Sequence, residues 1–245
     1  MLPEFPNSSY IVCASPRSGS TLLCDLLTQT GIAGAPQSFF RPADTSNFST
    51  KWGLSNEDLD LAFISAAQKA GSSSNGVFGM RIMWSDMQGF LERLTELRPG
   101  LQNDSSLLAE VLGVGRYIHL YREDRIAQAV SLVLAKQTGL WHKNADGTIR
   151  EQTGEPEQAV YSHDQIAAEL AMLEQEAKGW GSWFADNQIS PLQLSYESLV
   201  AEPSTSLHTI LDHLDLPSTT NATVSMQKLA GELNQEWARR FRLRR

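Results

Sequence analysis

An apolar run, Tyr10 to Ala14, leads directly into the small-residue segment Ser15-Pro16-Arg17-Ser18-Gly19-Ser20-Thr21. An amphipathic stretch, Leu22 to Thr30, follows and ends at a glycine. This pattern predicts a strand, a tight loop and a helix. Backbone N–H groups of such a loop, with the unsatisfied amides and dipole of the first helical turn, bind an anion. The segment therefore favours folds that place an anion-binding loop between a strand and a helix.

The side chains of this loop strengthen the predicted anion site. The guanidinium of Arg17 and the hydroxyls of Ser18, Ser20 and Thr21 can hydrogen bond to the same oxygens as the backbone around Gly19. A nucleoside-triphosphate P-loop, GxxxxGK[ST], has a lysine where this chain has Ser20. The loop thus favours a nucleotide other than ATP or GTP. The alternative interpretation is a Ser/Gly-rich turn with an exposed arginine.

Strand-like and helix-like segments alternate along the rest of the chain and predict an α/β fold with three layers. A central, mostly parallel sheet would be flanked by helices within one domain, residues 1–245. Ligands bind at the carboxyl edge of such a sheet, where the loops after Ala14, Trp84 and Tyr121 would converge. The later predicted strands are Val77 to Trp84, Tyr117 to Tyr121 and Leu192 to Leu194. The predicted helices are Asn56 to Ala70, Asp86 to Leu97, Arg125 to Gln137, His163 to Asp186, Tyr196 to Val200 and Ser204 to Leu214.

Composition excludes several classes of function. The formal net charge of −8 argues against nonspecific binding to nucleic acid or to anionic membranes. The chain has no apolar run long enough to span a bilayer and no export leader at its start, so we expect a cytoplasmic protein without a transmembrane segment. Cys13 and Cys24 are expected to be buried thiols rather than a disulfide. The cysteines and the five histidines lack zinc-site spacing, so no metal is predicted.

Arg122 and Ser131 suggest a second anion site. Arg122 follows a predicted strand, and Ser131 lies nine positions later, about two turns into the next helix. Together they can hold a phosphate, although Arg122 could instead pair with Glu123 or another surface acid, and Ser131 could be a neutral helix residue. Two anion sites in one crevice fit an adenosine 5′-phosphate that carries a second phosphate at its 3′ position.

These segments resemble a known enzyme family. The loop from Ser15 to Thr21 resembles the 5′-phosphosulfate loop of sulfotransferases, and Arg122 through Ser131 resembles their 3′-phosphate motif. The closest similarity is to the bacterial trehalose 2-sulfotransferase family. The other matching segments are Gly31 to Phe40, Gly79 to Trp84, Gln137-Thr138 with Trp141, Gly179-Trp180 with Trp183-Phe184, Leu194 to Pro203, and Glu236-Trp237 with Arg240.

The resemblance implies a P-loop NTPase-like sulfotransferase fold and a homodimer. It also implies 3′-phosphoadenosine 5′-phosphosulfate (PAPS) as donor, 3′,5′-adenosine bisphosphate (PAP) as product, and a hydroxyl of a sugar or glycolipid, such as trehalose, as acceptor. Arg17 is expected to stabilise the leaving 5′-phosphate. The family's glutamate base corresponds to Ser38 here, and a family lysine corresponds to Arg81. Serine is a poor base, so Asp86 is a second catalytic candidate, with a helix N-cap as its alternative role.

The expected acceptor pocket lies around these positions. Asp44, on a neighbouring loop, is a third possible source of a carboxylate base, unless electrostatic stabilisation alone suffices. Gln37 and Arg81 belong to the matching segments and are expected to contact the acceptor. Aromatic side chains could form a platform for a sugar or a lipid chain, or could belong to the core, the interpretation preferred for Trp84. The aromatic candidates are Phe39, Phe40, Trp84 and Trp141.

Two other functions compete with sulfuryl transfer. The missing glutamate would fit a PAPS- or PAP-binding protein with altered or lost transferase activity. A P-loop kinase is the other alternative, and Ser20 at the lysine position argues against it. The sequence itself does not name the acceptor.

Overall fold

The computed structural model describes residues 8–54, 60–143, 148–154, 158–218 and 231–244. The six strands are β1 (Ser8–Ala14), β2 (Val77–Met83), β3 (Val114–Tyr121), β4 (Leu140–Lys143), β5 (Ile149–Gln152) and β6 (Leu192–Ser195). The ten helices are α1 (Ser20–Gln29), α2 (Pro42–Trp52), α3 (Leu61–Gly71), α4 (Trp84–Leu97), α5 (Asp104–Leu112), α6 (Arg125–Thr138), α7 (His163–Asp186), α8 (Tyr196–Ala201), α9 (Pro203–His213) and α10 (Glu232–Arg242). These counts refer to the described residues.

A four-stranded parallel sheet forms the centre, in the order β2-β1-β3-β6. From Tyr10 to Ala14, strand β1 is apolar and fully buried, because the sheet is covered on both faces. The register pairs Ala14 with Met83 on one side and with Leu120 on the other, and it pairs Tyr121 with Ser195. The carboxyl ends of all four strands therefore meet at one edge, as predicted.

Helices cover both faces of this sheet and complete the predicted three layers. Ile11 and Cys13 point to the face packed by α3, α4, α5 and α7. Tyr10 and Val12, which alternate with them, point to the face packed by α1, α8 and α9. A third apolar cluster joins α6, α7 and α10 beside the sheet. Cys13 and Cys24 are buried free thiols, as predicted.

Several predicted boundaries shift in the structure. Helix α4 begins at Trp84 with Met83 as its N-cap, so the alternative role of Asp86 as N-cap is wrong, and Asp86 lies in the first turn instead. Helix α3 begins at Leu61, where the Asp60 side chain accepts from the Phe63 amide; part of the predicted segment from Asn56 lies outside the described residues. Within the described ranges, no helix combines the length and apolarity needed to cross a bilayer.

The sequence prediction missed five elements, three helices and two strands. Helices α2, α5 and α10 were not predicted, and neither was the antiparallel β4–β5 pair, which we call the hairpin (residues 140–143 and 149–152). Helix α2 is mostly polar, which hides its helical period, although Pro42 stands at a typical first helical position. The two hairpin strands have only four residues each, too few for a clear alternation.

Candidate active site

The anion loop, Ser15–Thr21, connects β1 to α1 at the carboxyl edge of the sheet. Gly19 adopts φ +88°, and a Cβ placed there would lie 2.5 Å from Cδ2 of the Tyr196 ring. Only glycine meets both requirements, because other residues disfavour this backbone conformation and would collide with the ring. Arg17 also has a positive φ, 61°. The sharp turn brings the loop against the first turn of α1, as an anion cradle requires.

Buried polar atoms of the site have hydrogen-bonding capacity to spare. Ser18 Oγ is fully buried and has no hydrogen-bond partner among the described residues, and the same holds for Arg122 Nε. Buried polar atoms in proteins nearly always have partners. An oxyanion held on the loop would satisfy both groups, so the residues present fit a phosphorylated ligand.

Arg17 links the two predicted anion sites. Its Nε donates to Ser131 Oγ of α6 at 2.9 Å, and its Nη1 donates to the Trp141 carbonyl of the hairpin. Burial, followed by the charge of Arg122, lowers the pKa of Arg17. Two guanidinium groups that are buried close together are stabilised by an anion between them.

Arg122 stands directly after β3 and reaches back to the loop. Its Nη1 lies 3.5 Å from the Arg17 carbonyl, and its guanidinium lies over the Tyr196 ring at 4.7 Å. Its acidic neighbour is Glu197, at 3.8 Å, so the alternative pairing with another surface acid is present beside the loop contact. Helix α6 is capped by Asp124, whose carboxylate accepts from the Ala127 amide at 3.0 Å. The predicted loop, arginine and serine therefore lie in one crevice.

Gln128, one turn before Ser131 on α6, fixes the helix to the loop. Its side-chain amide donates to the Pro16 carbonyl at 2.7 Å, and the residue is almost fully buried. This contact places α6 so that Ser131 meets Arg17. The sequence prediction included Gln128 only in a matching motif and gave it no role.

Arg81 supplies the positive charge that the loop lacks at position 20. From β2, its Nη1 donates to Thr21 Oγ1 at 2.9 Å and lies 3.3 Å from Ser20 Oγ. Its Nε donates to Ser38 Oγ at 2.8 Å. Gln37 runs alongside β2, and its carbonyl accepts from the Arg81 amide at 3.0 Å. Ser38 is therefore a hydrogen-bond acceptor that orients Arg81 toward the anion loop.

The hairpin places a histidine against the anion loop. His142 Nε2 lies 3.2 Å from Thr21 Oγ1 and 3.6 Å from Glu151 Oε2. Burial, then Arg17, Arg81, Arg150 and Arg41, lower the pKa of His142 to about 4. The imidazole is therefore neutral at neutral pH. Sequence reasoning missed this residue, because the spacing of the histidines indicates no site and the four-residue strands of the hairpin give a weak sequence pattern. The signal in the sequence was the neighbouring Trp141, which belongs to a matching segment.

Comparison with known proteins decides the family. A sequence model of the Stf0 sulphotransferase family matches residues 9–244, nearly the whole chain. The chain belongs to the Stf0 sulphotransferase family. This sulfotransferase is therefore an enzyme, and the resemblance noted in its motifs is confirmed.

Its relatives share most of its length. The chain is 29% identical to the trehalose 2-sulfotransferase of Mycolicibacterium smegmatis over 260 residues, which cover 96% of this chain and 94% of that protein. It is 28% identical to the trehalose 2-sulfotransferase of Mycobacterium tuberculosis, over 95% of this chain and 94% of that protein. The solved sulfotransferase domain from the curacin biosynthetic pathway has a TM-score of 0.54 at 15% identity, covering 96% of this chain and 83% of that one. That likeness supports the fold.

The structure corrects the predicted aromatic platform of the sulfotransferase. Phe39 is fully buried among Phe48, Trp52 and Phe78, and Phe40 is only 5% exposed and packs on the Phe90 ring at 4.7 Å. Both phenylalanines belong to the core that joins α2, α3 and α4 to the sheet. They are therefore not available to an acceptor, and the core interpretation applies to them.

The two tryptophans differ from each other. Trp84 packs edge-on against Trp180 at 5.1 Å, and a Cβ on Gly179 would lie 2.3 Å from the Trp84 indole, so this partly buried side chain is fitted against α7 at the border of the core. Trp141 contacts the anion loop through its backbone carbonyl, while its indole N–H donates to Thr153 Oγ1 at 3.1 Å. Contact of Trp84 with the acceptor stays a prediction.

Two carboxylates lie near the carboxyl edge of the sheet. Asp86 is half-buried; burial raises its pKa, and its charged neighbours include Arg41, Asp44 and Arg81. Glu176 of α7 is almost fully buried, and burial raises its pKa although the Ser15 hydroxyl donates to it. Arg41 is itself held by Asp44 at 2.7 Å. Within the described part of the chain, no three His, Cys, Asp or Glu side chains are grouped as around a metal ion.

Proposed function

We propose that this sulfotransferase moves a sulfuryl group from PAPS to a hydroxyl of a carbohydrate or glycolipid, and that trehalose is the first acceptor to test. The observation that carries the donor assignment is the contact of Arg17 with Ser131, beside Arg122, at the edge of the sheet. This contact supports two adjacent anion sites, which would fit a nucleotide phosphorylated at both its 5′ and 3′ positions. The names of the two relatives support a sugar acceptor.

The protein's own groups define the proposed mechanism. The anion loop, with Gly19 at its turn and the Ser18, Ser20 and Thr21 hydroxyls, would hold the 5′ group, while Arg122 and Ser131 hold the 3′-phosphate. PAPS supplies an activated sulfuryl group when bound. Arg17 would stabilise the charge that develops on the leaving 5′-phosphate, and Arg81 would fix the Ser20 and Thr21 hydroxyls toward the same oxygens.

The acceptor side is proposed from neighbouring contacts. Gln37 and Ser38 run beside β2, so the segment around them borders Arg81 and the anion loop. Asp86 lies close to Arg81 and Asp44, and we keep it as a group that faces the acceptor. The Trp141 backbone completes the contact between the hairpin and Arg17. A binding protein without transferase activity is not favoured, since the full-length relatives are named as sulfotransferases.

Turnover tests the proposal directly. The enzyme is incubated with PAPS and trehalose, glucose or a trehalose glycolipid, and products are followed by the mass of one added sulfuryl group. Arg17→Ala and Arg122→Ala should lose transfer, and the control Arg98→Ala, which removes an exposed ion pair with Glu110, should keep it. Absence of transfer to every acceptor, with PAP binding intact, would refute the activity and leave the nucleotide assignment standing.

Three further features are proposed from the family resemblance and the composition. A homodimer is the expected assembly, and light scattering at several protein concentrations measures it. A cytoplasmic location fits the two buried free thiols, Cys13 and Cys24. Metal-independent transfer is expected, and unchanged rates after chelation with EDTA would support it.

A further inference from the structure

The hairpin fixes His142 at the border of the anion loop. Nε2 of His142 lies 3.2 Å from Thr21 Oγ1, and the same hydroxyl accepts from Arg81 Nη1 at 2.9 Å. Arg81 extends in turn to Ser38 on the proposed acceptor side. His142 is thus joined, through a single hydroxyl, to both the donor loop and the segment that borders the acceptor.

The hydrogen-bond network allows the imidazole to act as an acceptor. Thr21 Oγ1 accepts from Arg81, so its own proton can point to His142 Nε2 in the tautomer that carries the lone pair on Nε2. Glu151 Oε2, 3.6 Å from the same nitrogen, is the carboxylate within reach if Nε2 becomes protonated. An anion on the loop competes for the Thr21 proton and leaves Nε2 free for another hydroxyl.

We propose that His142 is the proton acceptor of this sulfotransferase and that Glu151 is its positioning partner. The inference rests on the proposed function. The acceptor O–H gives its proton to His142 Nε2, an O–S bond forms, and the S–O bond to the 5′-phosphate breaks with its electron pair on the phosphate. The imidazolium is balanced by the Glu151 carboxylate and then loses its proton to solvent.

The charges around His142 make its basicity depend on the donor. The cations that face it are Arg17 of the loop, Arg41 before α2, Arg81 of β2 and Arg150 of β5. The anions close to it are Glu151, Asp25, which pairs with Arg150, and Asp44, which pairs with Arg41. In the free protein the cations hold the pKa of His142 low. A polyanionic nucleotide offsets them and should raise that pKa toward its ordinary range.

Other groups fit the proton acceptor less well. Ser38 Oγ is occupied by Arg81 Nε, and serine is a poor base without an activating partner. Asp86 is surrounded by Arg41, Asp44 and Arg81, and no described contact joins it to the anion loop. Glu176 accepts from Ser15 and has an unpartnered Oε2, but it is only 6% exposed, which leaves an acceptor hydroxyl little access to it. His142 contacts the loop directly at Thr21 and is neutral in the free protein.

A nuclear magnetic resonance titration tests the charge coupling without turnover. The imidazole signals of the five histidines are followed against pH with and without saturating PAP, and His142→Gln identifies the signal of interest. We expect the His142 titration to move upward by about one pH unit or more with PAP, while the His213 titration, whose neighbours are Tyr117, Arg116 and Asp215, stays in place. An unmoved His142 titration under saturating PAP would overturn the coupling.

Kinetics test the catalytic role. His142→Gln should keep PAP affinity within about threefold and lower kcat by about 10²–10⁴-fold, the usual contribution of a general base. Glu151→Gln should lower kcat less than His142→Gln does, and it should shift the acidic limb of the pH profile of kcat. The control His208→Gln should have the kcat of the wild type. If Asp86→Asn abolishes transfer while His142→Gln keeps it, the assignment is wrong. If the wild type binds PAP but transfers to no acceptor, the proposed function itself fails.

Discussion

At the level of single residues, Gly19 shows how strictly the anion loop is built. Gly19→Ala would add both a backbone strain of about 1–2 kcal/mol and a contact at 2.5 Å with Tyr196. Gly31→Ala at the other end of α1 is the matched control, since it has φ +68° and an open surrounding. Both variants should lower the melting temperature, and calorimetry should show that only Gly19→Ala loses PAP affinity. Equal affinity in both would contradict the cradle.

Ser38 and Arg81 act as a pair, because Arg81 Nε donates to Ser38 Oγ and this contact orients the guanidinium. Ser38→Glu should capture the Arg81 guanidinium in an ion pair and draw it from Thr21, which weakens PAP binding. Arg81→Lys should also weaken it, because one ammonium cannot reach Ser38 and Thr21 together.

The double variant, Ser38→Glu with Arg81→Lys, restores the pairing expected from the family. It should recover affinity, with a coupling energy of about 0.5–3 kcal/mol in a double-mutant cycle read by calorimetry. Strict additivity of the two single effects would show that the residues act separately.

At the level of elements, the hairpin joins the donor loop to the rest of the site. Arg150 of β5 makes a two-pronged ion pair with Asp25 of α1, and both side chains are well exposed. An exposed pair contributes at most about 1 kcal/mol to stability, so Arg150→Ala should change global unfolding little.

The same substitution should release the hairpin locally. Hydrogen exchange of the amides in β4 and β5 should accelerate in Arg150→Ala, while the β1 amides stay protected. Arg98→Ala removes an ion pair of similar exposure elsewhere and should leave the hairpin amides unchanged. Unaltered exchange in Arg150→Ala would mean that other contacts hold the hairpin.

The elements that the sequence predicted are those with a strong apolar period. The four sheet strands and helices such as α1, α6 and α7 follow from runs such as Tyr10 to Ala14, whose apolar continuity requires burial on both faces. The anion loop was predicted because its seven residues lie together between a strand and a helix. Arg122 and Ser131 were predicted because they lie nine positions apart, at the end of a strand and in the helix that follows it. His142 could not be, since its role comes from a hairpin folded onto a loop about 120 residues earlier. The burial of Phe39 and Phe40 likewise depends on α2, whose polar sequence conceals it.

At the level of the whole molecule, the charges around the site make stability depend on pH. The pKa of His142 is lower in the folded protein than in the unfolded chain, so protons bind the unfolded chain preferentially. The contribution of neutral His142 to the free energy of unfolding is therefore complete above pH 6.5, and it is lost as the pH falls toward about 4. His119 and His213 also have lowered pKa values and act in the same direction.

Urea unfolding at pH 7 and pH 5 measures this effect. The wild type should lose more stability than His142→Gln between the two pH values, because the variant lacks one of the three depressed histidines. PAP should reduce the difference, since a bound polyanion raises the pKa of His142. An identical loss in wild type and variant would place His142 in an ordinary solvated environment.

The stability of the whole molecule should also depend on the nucleotide that binds in the crevice between the anion loop, β3 and α6. That residues 1–245 form a single domain stays a prediction, and a single unfolding transition would support it. A ligand present at 100 times its dissociation constant stabilises the folded state by about 2.7 kcal/mol. We therefore expect that PAP strongly stabilises the folded protein and that ATP with magnesium stabilises it little.

The two-point anion site is tested by the shift in melting temperature that PAP produces in the wild type, Arg17→Ala and Arg122→Ala. We predict a clear upward shift in the wild type that is largely lost in both variants, with no comparable shift from ATP and magnesium. Stabilisation of the wild type by ATP but not by PAP, or an undiminished PAP shift in both variants, would contradict the two-point anion site.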